Sequence, residues 1–517
     1  MAPEHAVRLD PARPVTRPDA ARTETTTVEV RGTSRSVAFF DPLASFVALR
    51  EAYGENDLYL LESLSGPETD RRSSMIGIGR ILTITVTIDK VTLDGAQELV
   101  ERVKQAWQRA GVFKEEDTLR SRKHLWDLLR AVQGVFDVTA LTPEQHSGFG
   151  LFGYYGYDTT WAVEDLPMLI EHAGDTPDIV LAVYQGQLVQ DLAKRRARID
   201  TYDGGAAWAP LDVDAVLDRL TGIPLDDGTP RVPKPTKVEQ PTTHEHYVKG
   251  VETALEHIRA GDIYQLQLGQ ELRVTTSADP LAVYRRLRAR NPSPYMYYVP
   301  NGPQTLVGAS PELFVRLEED LITMRPIAGT VRRGRDLAED EMLAAQMLRD
   351  EKEVAEHIML VDLCRNDIGR VCRTNTLEVP ALLTVEAYSH VSHLVSTVIG
   401  RQMSTMDVWD IMAATFPAGT MTGAPKVRAM EIIESLETTR RGAYAGAVGQ
   451  ISFDGQMNLA LNIRSTLYHD GVYQLRASAG IVADSRPDRE WAETWQKLGA
   501  PYWAITGEEA ADAGVRD

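Results

Sequence analysis

Two acidic segments that lie far apart in the chain constrain this sequence more than any other feature. They span residues 350–357 and 489–495, and both are predicted to be helical. Each carries two glutamates three residues apart, which places both on one helix face. One such pair alone is typical of a solvated helix surface. Four carboxylates that fold together would repel one another unless a cation lay between them.

The cation that best fits these residues is Mg²⁺. Carboxylate oxygens are hard ligands, and no Cys/His cluster accompanies them, which favours magnesium over a transition metal. Magnesium also keeps coordination positions for water or an anionic substrate. The predicted metal ligands, directly or through water, are Glu353, Glu356, Glu490 and Glu493.

Composition excludes several classes of protein. The formal charge of −19 over 517 residues argues against nucleic acid or an anionic membrane as the main partner. No apolar run approaches the length needed to span a bilayer. Two cysteines rule out a disulfide framework and fit a reducing cytoplasm. We therefore expect a cytoplasmic protein, with two domains or one large intertwined domain.

The order of predicted elements divides the chain into five regions. Strand runs and helix runs are segregated, which favours an α+β fold with helices packed on antiparallel sheets. Pro- and Gly-rich composition marks the connector, and low apolar content marks both ends as irregular. The expected regions are a disordered extension (1–35), an N-terminal region (36–222), a connector (223–243), a catalytic region (244–505) and a frayed tail (506–517).

A series of short motifs connects the two acidic segments to a known family. They occupy residues 261–265, 310–312, 325–330, 362–367, 392–394 and 416–426. In this order and spacing, the chain from about residue 58 to 500 resembles component I of anthranilate synthase, among the chorismate-utilising enzymes. The resemblance implies a chorismate-binding fold: a large intertwined domain of antiparallel β-sheets, sandwiched and flanked by helices. It also implies Mg²⁺-dependent lyase chemistry on chorismate.

The resemblance also implies roles for individual residues. Glu312 matches the general acid that protonates the departing C4 hydroxyl, which requires a raised pKa. His393 and Thr420 match residues that support loss of pyruvate. The implied substrate-binding residues are Gln265, Ala328, Gly329, Thr330, Tyr444, Arg464, Ser478, Gly480 and Lys497. Ser478 stands where the family usually has glycine, and Gln267 and Thr422 also depart from its pattern.

Two positions indicate which nucleophile attacks. Related isochorismate and salicylate synthases carry a lysine, which activates water, at the position of Gln265. Glutamine cannot deprotonate water, whereas ammonia is already nucleophilic. The 4-amination branch typically carries a nucleophilic lysine at the position of Ala328, and alanine cannot form that adduct. Together Gln265 and Ala328 favour direct attack of ammonia on C2.

Partners and regulation follow from the same resemblance. No Gly-x-Cys-x-Gly elbow is present, so ammonia is expected from a separate glutamine amidotransferase subunit, within an oligomer. Two segments resemble those that bind the feedback inhibitor tryptophan; their residues are Glu62, Ser63, Pro294, Tyr295 and Met296. The glycine-bearing stretch 149–158 is also family-like, and we interpret it as structural.

The prediction is thus an anthranilate synthase large component that acts in tryptophan biosynthesis or a secondary pathway. Three alternatives stay open. One is a 2-amino-2-deoxyisochorismate synthase that keeps the pyruvyl group. The second is aminodeoxychorismate synthase component I, and the third is a non-catalytic chorismate-binding subunit.

Overall fold

Antiparallel β-sheet dominates the part of the chain that the structure describes. The structure, a computed structural model, describes residues 27–142, 145, 148–172, 176–220, 228–388 and 391–510. Its strands are β1 (Val28–Glu29), β2 (Arg31–Val37), β3 (Leu58–Glu62), β4 (Ser73–Thr87), β5 (Lys90–Gly95), β6 (Phe113–Glu115), β7 (Thr118–Leu119), β8 (Phe136–Asp137), β9 (Gly150–Tyr155), β10 (Ile179–Asp191), β11 (Arg196–Asp203), β12 (Lys237–Glu239), β13 (Gln265–Thr275), β14 (Tyr295–Asn301), β15 (Gln304–Ser310), β16 (Leu313–Glu318), β17 (Leu321–Met324), β18 (Ile327–Arg332), β19 (Glu378–Ala387), β20 (Val391–Arg401), β21 (Gly423–Ala424), β22 (Ala447–Ser452), β23 (Met457–Leu461), β24 (Ser465–His469) and β25 (Val472–Ile481).

Two large sheets diverge from the long strand β10. One runs in the order β11, β10, β4, β3, β14, β15, β24, β25 and β13. The other leaves β10 through β9 and continues to β22, β23, β16, β17 and β20. Each sheet therefore combines strands from both halves of the chain, which confirms the expected intertwined antiparallel architecture.

Helices cover the outer faces of the sheets. They are α1 (Pro42–Tyr53), α2 (Gln97–Ala110), α3 (Leu125–Gln133), α4 (Val213–Arg219), α5 (His244–Ala260), α6 (Pro280–Arg290), α7 (Leu337–Met347), α8 (Glu351–Gly369), α9 (Val408–Thr415), α10 (Lys426–Leu436) and α11 (Pro487–Thr506). Helices α1, α6 and α11 share a buried apolar cluster with the first sheet, and α2, α3, α8 and α9 share one with the second. A cluster of aromatic and aliphatic side chains fills the space between the sheets. The order of layers is helix, sheet, sheet, helix.

Three sequence-based boundaries need correction. The extension was drawn to residue 35, but β1 pairs with β8 and β2 pairs with β11, because an exposed sheet edge offers hydrogen bonds to a polar segment. Residues 1–26 lie outside the described part. The connector contains β12, which pairs with β13. The sequence pattern over 337–369 predicts one long polar helix, but the structure has two: α7 ends at Met347, and Asp350 caps the start of α8.

The remaining boundaries agree with the expected elements or are not described. Residues 221–227 and 511–517 fall outside the described residues. Both cysteines, Cys364 and Cys372, are buried and unpaired by disulfide. No helix in the described ranges is both long and apolar enough to cross a bilayer.

Candidate active site

Glu312 lies at the start of β16 in a position that keeps its carboxyl neutral. The side chain is 7% exposed, and burial raises its pKa to about 8. Interactions with the Thr420 hydroxyl, the Ile327 backbone and the Lys497 ammonium oppose that rise without cancelling it. At neutral pH the carboxyl therefore carries a proton that it can donate, as a general acid requires.

His393, on β20, faces the bulged strand β18. Its Nδ1 lies 3.0 Å from the Gly329 carbonyl oxygen and 3.1 Å from the Thr330 hydroxyl. A carbonyl only accepts, so this contact assigns the proton to Nδ1 and leaves Nε2 as an acceptor. Burial, with the nearby Arg464 cation, lowers the pKa of His393 to about 4. The imidazole is therefore neutral at physiological pH and can accept a proton.

The Pro-Ala-Gly-Thr segment, residues 417–420, places Thr420 beside Glu312. Residues Gly419–Met421 form a short 3-10 turn, and the Thr420 hydroxyl is buried in it without a well-formed hydrogen bond among the described residues. Lys426 closes the same motif with a buried ion pair to Asp367, at 2.7 Å. The sequence motifs at 362–367 and 416–426 are thus joined by one charge pair that fixes the turn.

Folding brings the four predicted metal ligands, Glu353, Glu356, Glu490 and Glu493, within electrostatic range of one another. They lie on α8 and α11. Burial is the main cause that raises the pKa of Glu353, Glu356 and Glu490, and their mutual repulsion adds to it. The pKa of Glu356 rises to about 7, with contributions from Glu353, Glu490 and Glu493.

This arrangement fits a hard divalent cation. Carboxylates held near one another in a partly buried site lower their repulsion when a cation enters. Lys352 lies 3.7 Å from Glu356, and Lys497 lies 2.6 Å from Glu493, so lysines already offset part of the charge. No three of these glutamates bring ligand atoms within 4.8 Å of one another in the described structure, which favours ligation partly through water.

Gly329 joins the glutamate cluster to the histidine. Its φ of +60° is a left-handed conformation that favours glycine, and it coincides with the bulge in β18. A Cβ at this position would approach Glu353 Oε2 to 3.0 Å. The carbonyl of the same residue contacts His393. One glycine therefore allows α8 to lie close against the strand that positions the imidazole.

Tyr444 and Ser478 form a hydrogen-bonded pair of hydroxyls. The two hydroxyls are 2.8 Å apart, and Ser478 also contacts Gln267 Oε1 at 3.2 Å. Lys497 donates to the Ser478 carbonyl at 2.8 Å. The hydroxyl that replaces the usual glycine is therefore integrated in a network, and it occupies space beside Tyr444.

Arg464 is a half-buried cation near Tyr444 and Glu493. Burial lowers its pKa, while Tyr444 and Glu493 act in the opposite direction. Within the described chain, its guanidinium makes one weak hydrogen bond, to the Lys497 carbonyl at 3.4 Å. Most of its donors are therefore available to a carboxylate ligand.

Gln265 enters the site because a helix ends just before it. Gly261 ends α5 in a left-handed conformation, and the chain turns into β13, whose first residue is Gln265. Its Oε1 is buried without a hydrogen-bond partner in the described residues. A Cβ on Gly480 would lie 2.8 Å from its Nε2, so this glycine gives the amide room. Ala328 lies across the site on β18.

The two segments compared with a tryptophan site also come together. Strand β3 pairs with β14, with Glu62 opposite Met296, and Ser63 donates to the Pro294 carbonyl at 2.8 Å. Both segments, including Tyr295, line a cavity of about 740 Å³. Glu62 itself accepts two hydrogen bonds from Arg288, at 2.8 and 2.9 Å, and one from Tyr284 at 2.6 Å. These hydrogen bonds engage the Glu62 carboxylate within the lining of the cavity.

Tyr388 is a site residue that sequence reasoning missed. Its ring meets that of His393 edge-on at 5.1 Å, and its buried hydroxyl has no hydrogen-bond partner in the described part of the chain. Burial raises its pKa, and Glu312 is among the nearby charges that add to the rise. No motif marked it, since a lone tyrosine after a strand has no distinguishing spacing.

Comparison with known proteins decides the family. The model of the chorismate binding enzyme family matches residues 89–502. The chain belongs to the chorismate binding enzymes. It is 47% identical over 495 residues to a 2-amino-4-deoxychorismate synthase from Streptomyces globisporus, covering 93% of this chain and 98% of that protein. It is 52% identical over 477 residues to anthranilate synthase component 1 of Aquifex aeolicus, covering 90% and 92%.

A solved structure confirms the architecture of this family member. Anthranilate synthase component I from Streptococcus pneumoniae superposes with a TM-score of 0.68 at 32% identity, covering 83% of this chain and 92% of that one. The resemblance to component I of anthranilate synthase is therefore confirmed, and the chain is a chorismate-utilising enzyme.

Proposed function

We propose that this enzyme is the large component of an anthranilate synthase, which converts chorismate and ammonia to anthranilate and pyruvate. The observation that carries this proposal is the buried, neutral carboxyl of Glu312. The same site has Gln265 and Ala328 at the two positions where relatives with other chemistry carry a lysine. These residues supply an acid for the leaving hydroxyl and no group that would activate water or attack the ring.

The first step we propose is an amination at C2. Glu312 donates its proton to the C4 hydroxyl, which leaves as water while the ring double bond shifts and ammonia forms a bond to C2. The amide of Gln265 offers hydrogen bonds to the incoming ammonia without competing as a base. Arg464 and Tyr444 would hold a substrate carboxylate, by a guanidinium fork and a hydroxyl.

Magnesium is proposed to be held by Glu353, Glu356, Glu490 and Glu493. When bound, it would anchor and polarise the ring carboxylate of chorismate. The raised pKa values of three of these glutamates support the assignment, because a bound cation would offset both the cost of burying the carboxylates, which is the main cause, and their repulsion. Lys497, paired with Glu493, would add a positive charge beside the same carboxylate.

The second proposed step removes pyruvate and makes the ring aromatic. The C2 proton leaves, the C3–O bond breaks, and the released enolpyruvate takes a proton to become pyruvate. The Nε2 lone pair of neutral His393 suits the transfer of that proton, and Thr330 with Gly329 orients the imidazole through Nδ1. Thr420 lies beside Glu312, where it can hydrogen-bond the departing group.

Ammonia is proposed to come from a glutamine amidotransferase subunit. The two described cysteines, Cys364 and Cys372, are buried, and burial raises the pKa of the Cys364 thiol, so neither offers the exposed thiolate that glutamine hydrolysis needs. Ammonium salt should replace the partner in assays of the isolated chain.

A second candidate function is release of 2-amino-2-deoxyisochorismate with its pyruvyl group retained. Ser478 favours it, because a hydroxyl in contact with Tyr444 stands where the family usually has no side chain. The relative from Streptomyces globisporus is named for a 2-amino-4-deoxy product. A small change in how the carboxylate is held could leave the intermediate too far from His393 for elimination.

The identity of the product tests the proposal. With chorismate, Mg²⁺ and ammonium, we expect anthranilate fluorescence and one pyruvate for each chorismate consumed. Mass spectrometry with standards of both amino isomers measures the outcome. A reaction without ammonium serves as the control. Chorismate consumption without pyruvate would establish the second candidate, and a 4-amino product would contradict amination at C2.

Feedback inhibition by tryptophan is proposed at the cavity that is lined by residues 61–63 and 294–297, at β3 and β14. Its volume of about 740 Å³ suits a small ligand. Ser63→Ala should raise the inhibition constant by about 2–10-fold, because the hydrogen bond between the two segments is lost. Initial rates at increasing tryptophan measure this, and Ser36→Ala on exposed β2 is the control. Equal inhibition of the variant and the parent would exclude Ser63 from the site.

A further inference from the structure

A second group of metal-binding side chains lies away from the glutamate cluster. Among the described residues, Asp158, His172 and Asp178 bring one ligand atom each within 4.8 Å of one another. Asp158 belongs to the 3-10 turn Tyr157–Ala162 after β9, and Asp178 directly precedes β10. The backbone joins these two points, because Gly156 N–H donates to the Asp178 carbonyl at 2.6 Å. Asp158 and Asp178 are therefore held close together by neighbouring strands, and His172 lies between them in the chain.

Asp158 is the member that most needs a ligand. It is 4% exposed, and neither carboxylate oxygen has a hydrogen-bond partner among the described residues. An Arg440 nitrogen lies 3.9 Å from one oxygen, but that guanidinium is held by Glu434 at 2.9 Å and by the Ile170 carbonyl at 2.5 Å. A buried carboxylate without hydrogen bonds is costly, so a cation or a proton is needed beside it.

The other two members, His172 and Asp178, form a hydrogen-bonded pair whose spacing also matches that of adjacent metal ligands. His172 Nε2 lies 3.0 Å from Asp178 Oδ1, and Asp178 Oδ2 accepts from the Ile88 N–H at 2.7 Å. Neighbouring ligands of a six-coordinate ion at 2.0–2.1 Å are about 3.0 Å apart. The second oxygen of Asp178 is oriented by the backbone, as the outer contacts of metal-binding carboxylates commonly are.

The charges around the group are mixed. Four arginines line the adjoining cavity, and each pairs with a glutamate: Arg273 and Arg476 with Glu271, Arg440 with Glu434, and Arg441 with Glu437. These pairs leave Asp158, Asp178 and Glu171 to balance the charge of a divalent ion beside His172. The cavity has a volume of about 150 Å³, which leaves room for water to complete a coordination shell.

We propose that Asp158, His172 and Asp178 form a divalent cation site, separate from the glutamate site, that takes a first-row transition metal such as Mn²⁺ or Zn²⁺. One imidazole with two carboxylates suits these ions better than Mg²⁺ or Ca²⁺. The ion ties the turn after β9 to the start of β10. The same cavity is lined by Arg440, Arg441 and Tyr444, so the site lies near the loop that carries Tyr444.

Equilibrium dialysis of the chelator-treated full chain against Mn²⁺ and, separately, Zn²⁺, with elemental analysis, tests the proposal. The double variant Glu356→Gln/Glu490→Gln, which lacks two of the proposed magnesium ligands, should still bind one ion. Adding Asp158→Asn to it should weaken that binding by about 100-fold or more. Asp165→Asn, at an exposed side chain a few residues away, should change nothing. Metal should also raise the thermal midpoint of the double variant.

Other results would overturn the proposal. The proposal is wrong if the double variant Glu356→Gln/Glu490→Gln binds no ion. It is also wrong if the double variant binds an ion with an affinity that Asp158→Asn does not change. His172→Gln provides a second variant should Asp158→Asn fail to fold, and it should weaken binding in the same way. If the wild type loses one ion on Asp158→Asn but none on the glutamate substitutions, the site proposed here stands and the magnesium assignment fails.

Discussion

Replacing Glu312 with glutamine is expected to lower kcat by about 10²–10⁴-fold while chorismate still binds. Glutamine keeps the shape of the side chain but has no proton to donate to the C4 hydroxyl, and general acid catalysis typically contributes this factor. Steady-state kinetics with chorismate, Mg²⁺ and ammonium measure kcat, and KM should change far less. Glu319→Gln, on the exposed turn after the same strand, is the matched control.

The same variant should be more stable than the parent near pH 7. The pKa of Glu312 in the folded protein, about 8, lies above its ordinary value of 4.5, so ionisation opposes folding. The destabilisation is absent below pH 4.5, grows as the pH rises towards 8 and is constant above that. At pH 7 its removal contributes on the order of 3 kcal/mol. Denaturant unfolding of the variant and the parent at pH 5 and pH 7 measures the difference in their free energies of unfolding. A difference that is the same at both pH values would refute the burial argument.

The pH dependence of the parent follows from the same carboxyl. Glu312 carries its proton below about pH 8, so the rate of the step that needs the acid should fall about tenfold per pH unit above that value. His393, with its pKa lowered to about 4, is neutral throughout this range and should add no inflection. A rate that keeps rising above pH 9 would contradict Glu312 as the acid.

Replacing Glu490 with glutamine is expected to abolish turnover at millimolar Mg²⁺ and to weaken magnesium binding by at least about 100-fold. Loss of a metal ligand should cost no less than the 10–100-fold typical of an outer-shell partner. The fold should survive, since a partly buried, repelling carboxylate is removed. Titration calorimetry with Mg²⁺ and kinetics at increasing Mg²⁺ measure the two effects.

Asp488→Asn provides the control for this variant. It lies in the first turn of the same helix with its side chain 86% exposed, and it should leave magnesium affinity unchanged. In the parent, Glu356 must lose a proton near pH 7 to bind the ion, so apparent affinity should fall as the pH drops below 7. Full activity of Glu490→Gln would refute the metal assignment.

Local patterns predicted the acidic pairs, and the resemblance to component I of anthranilate synthase predicted the other candidate site residues. Glutamates three residues apart lie on one face of a helix whatever surrounds them, so each acidic pair was readable without a structure. Gly261 ends α5 in a left-handed conformation, which glycine favours, whereas the helix start at Asp350 was not predicted. Gln265 and Ala328 excluded lysine chemistry by side-chain type alone.

Other features depended on contacts that no local pattern encodes. The N-terminal segment 28–37 looks irregular but completes sheet edges that come from residues 136–203. The hydroxyl of Ser478 contacts Tyr444, in the turn before β22, and Gln267, on β13, and neither residue is near it in the sequence. Tyr388 and the group of Asp158, His172 and Asp178 had no distinguishing spacing, and only packing brought them to their neighbours.

The sequence by itself determined which chemical groups this enzyme has and which helix faces or turns present them, because side-chain type and backbone periodicity are local properties. Only the tertiary structure decided the protonation of those groups. Burial sets the pKa of Glu312 near 8 and that of His393 near 4, and the approach of α8 to α11 raises the pKa of the glutamates. Desolvation and charge repulsion depend on distance in space, which the order of residues does not specify.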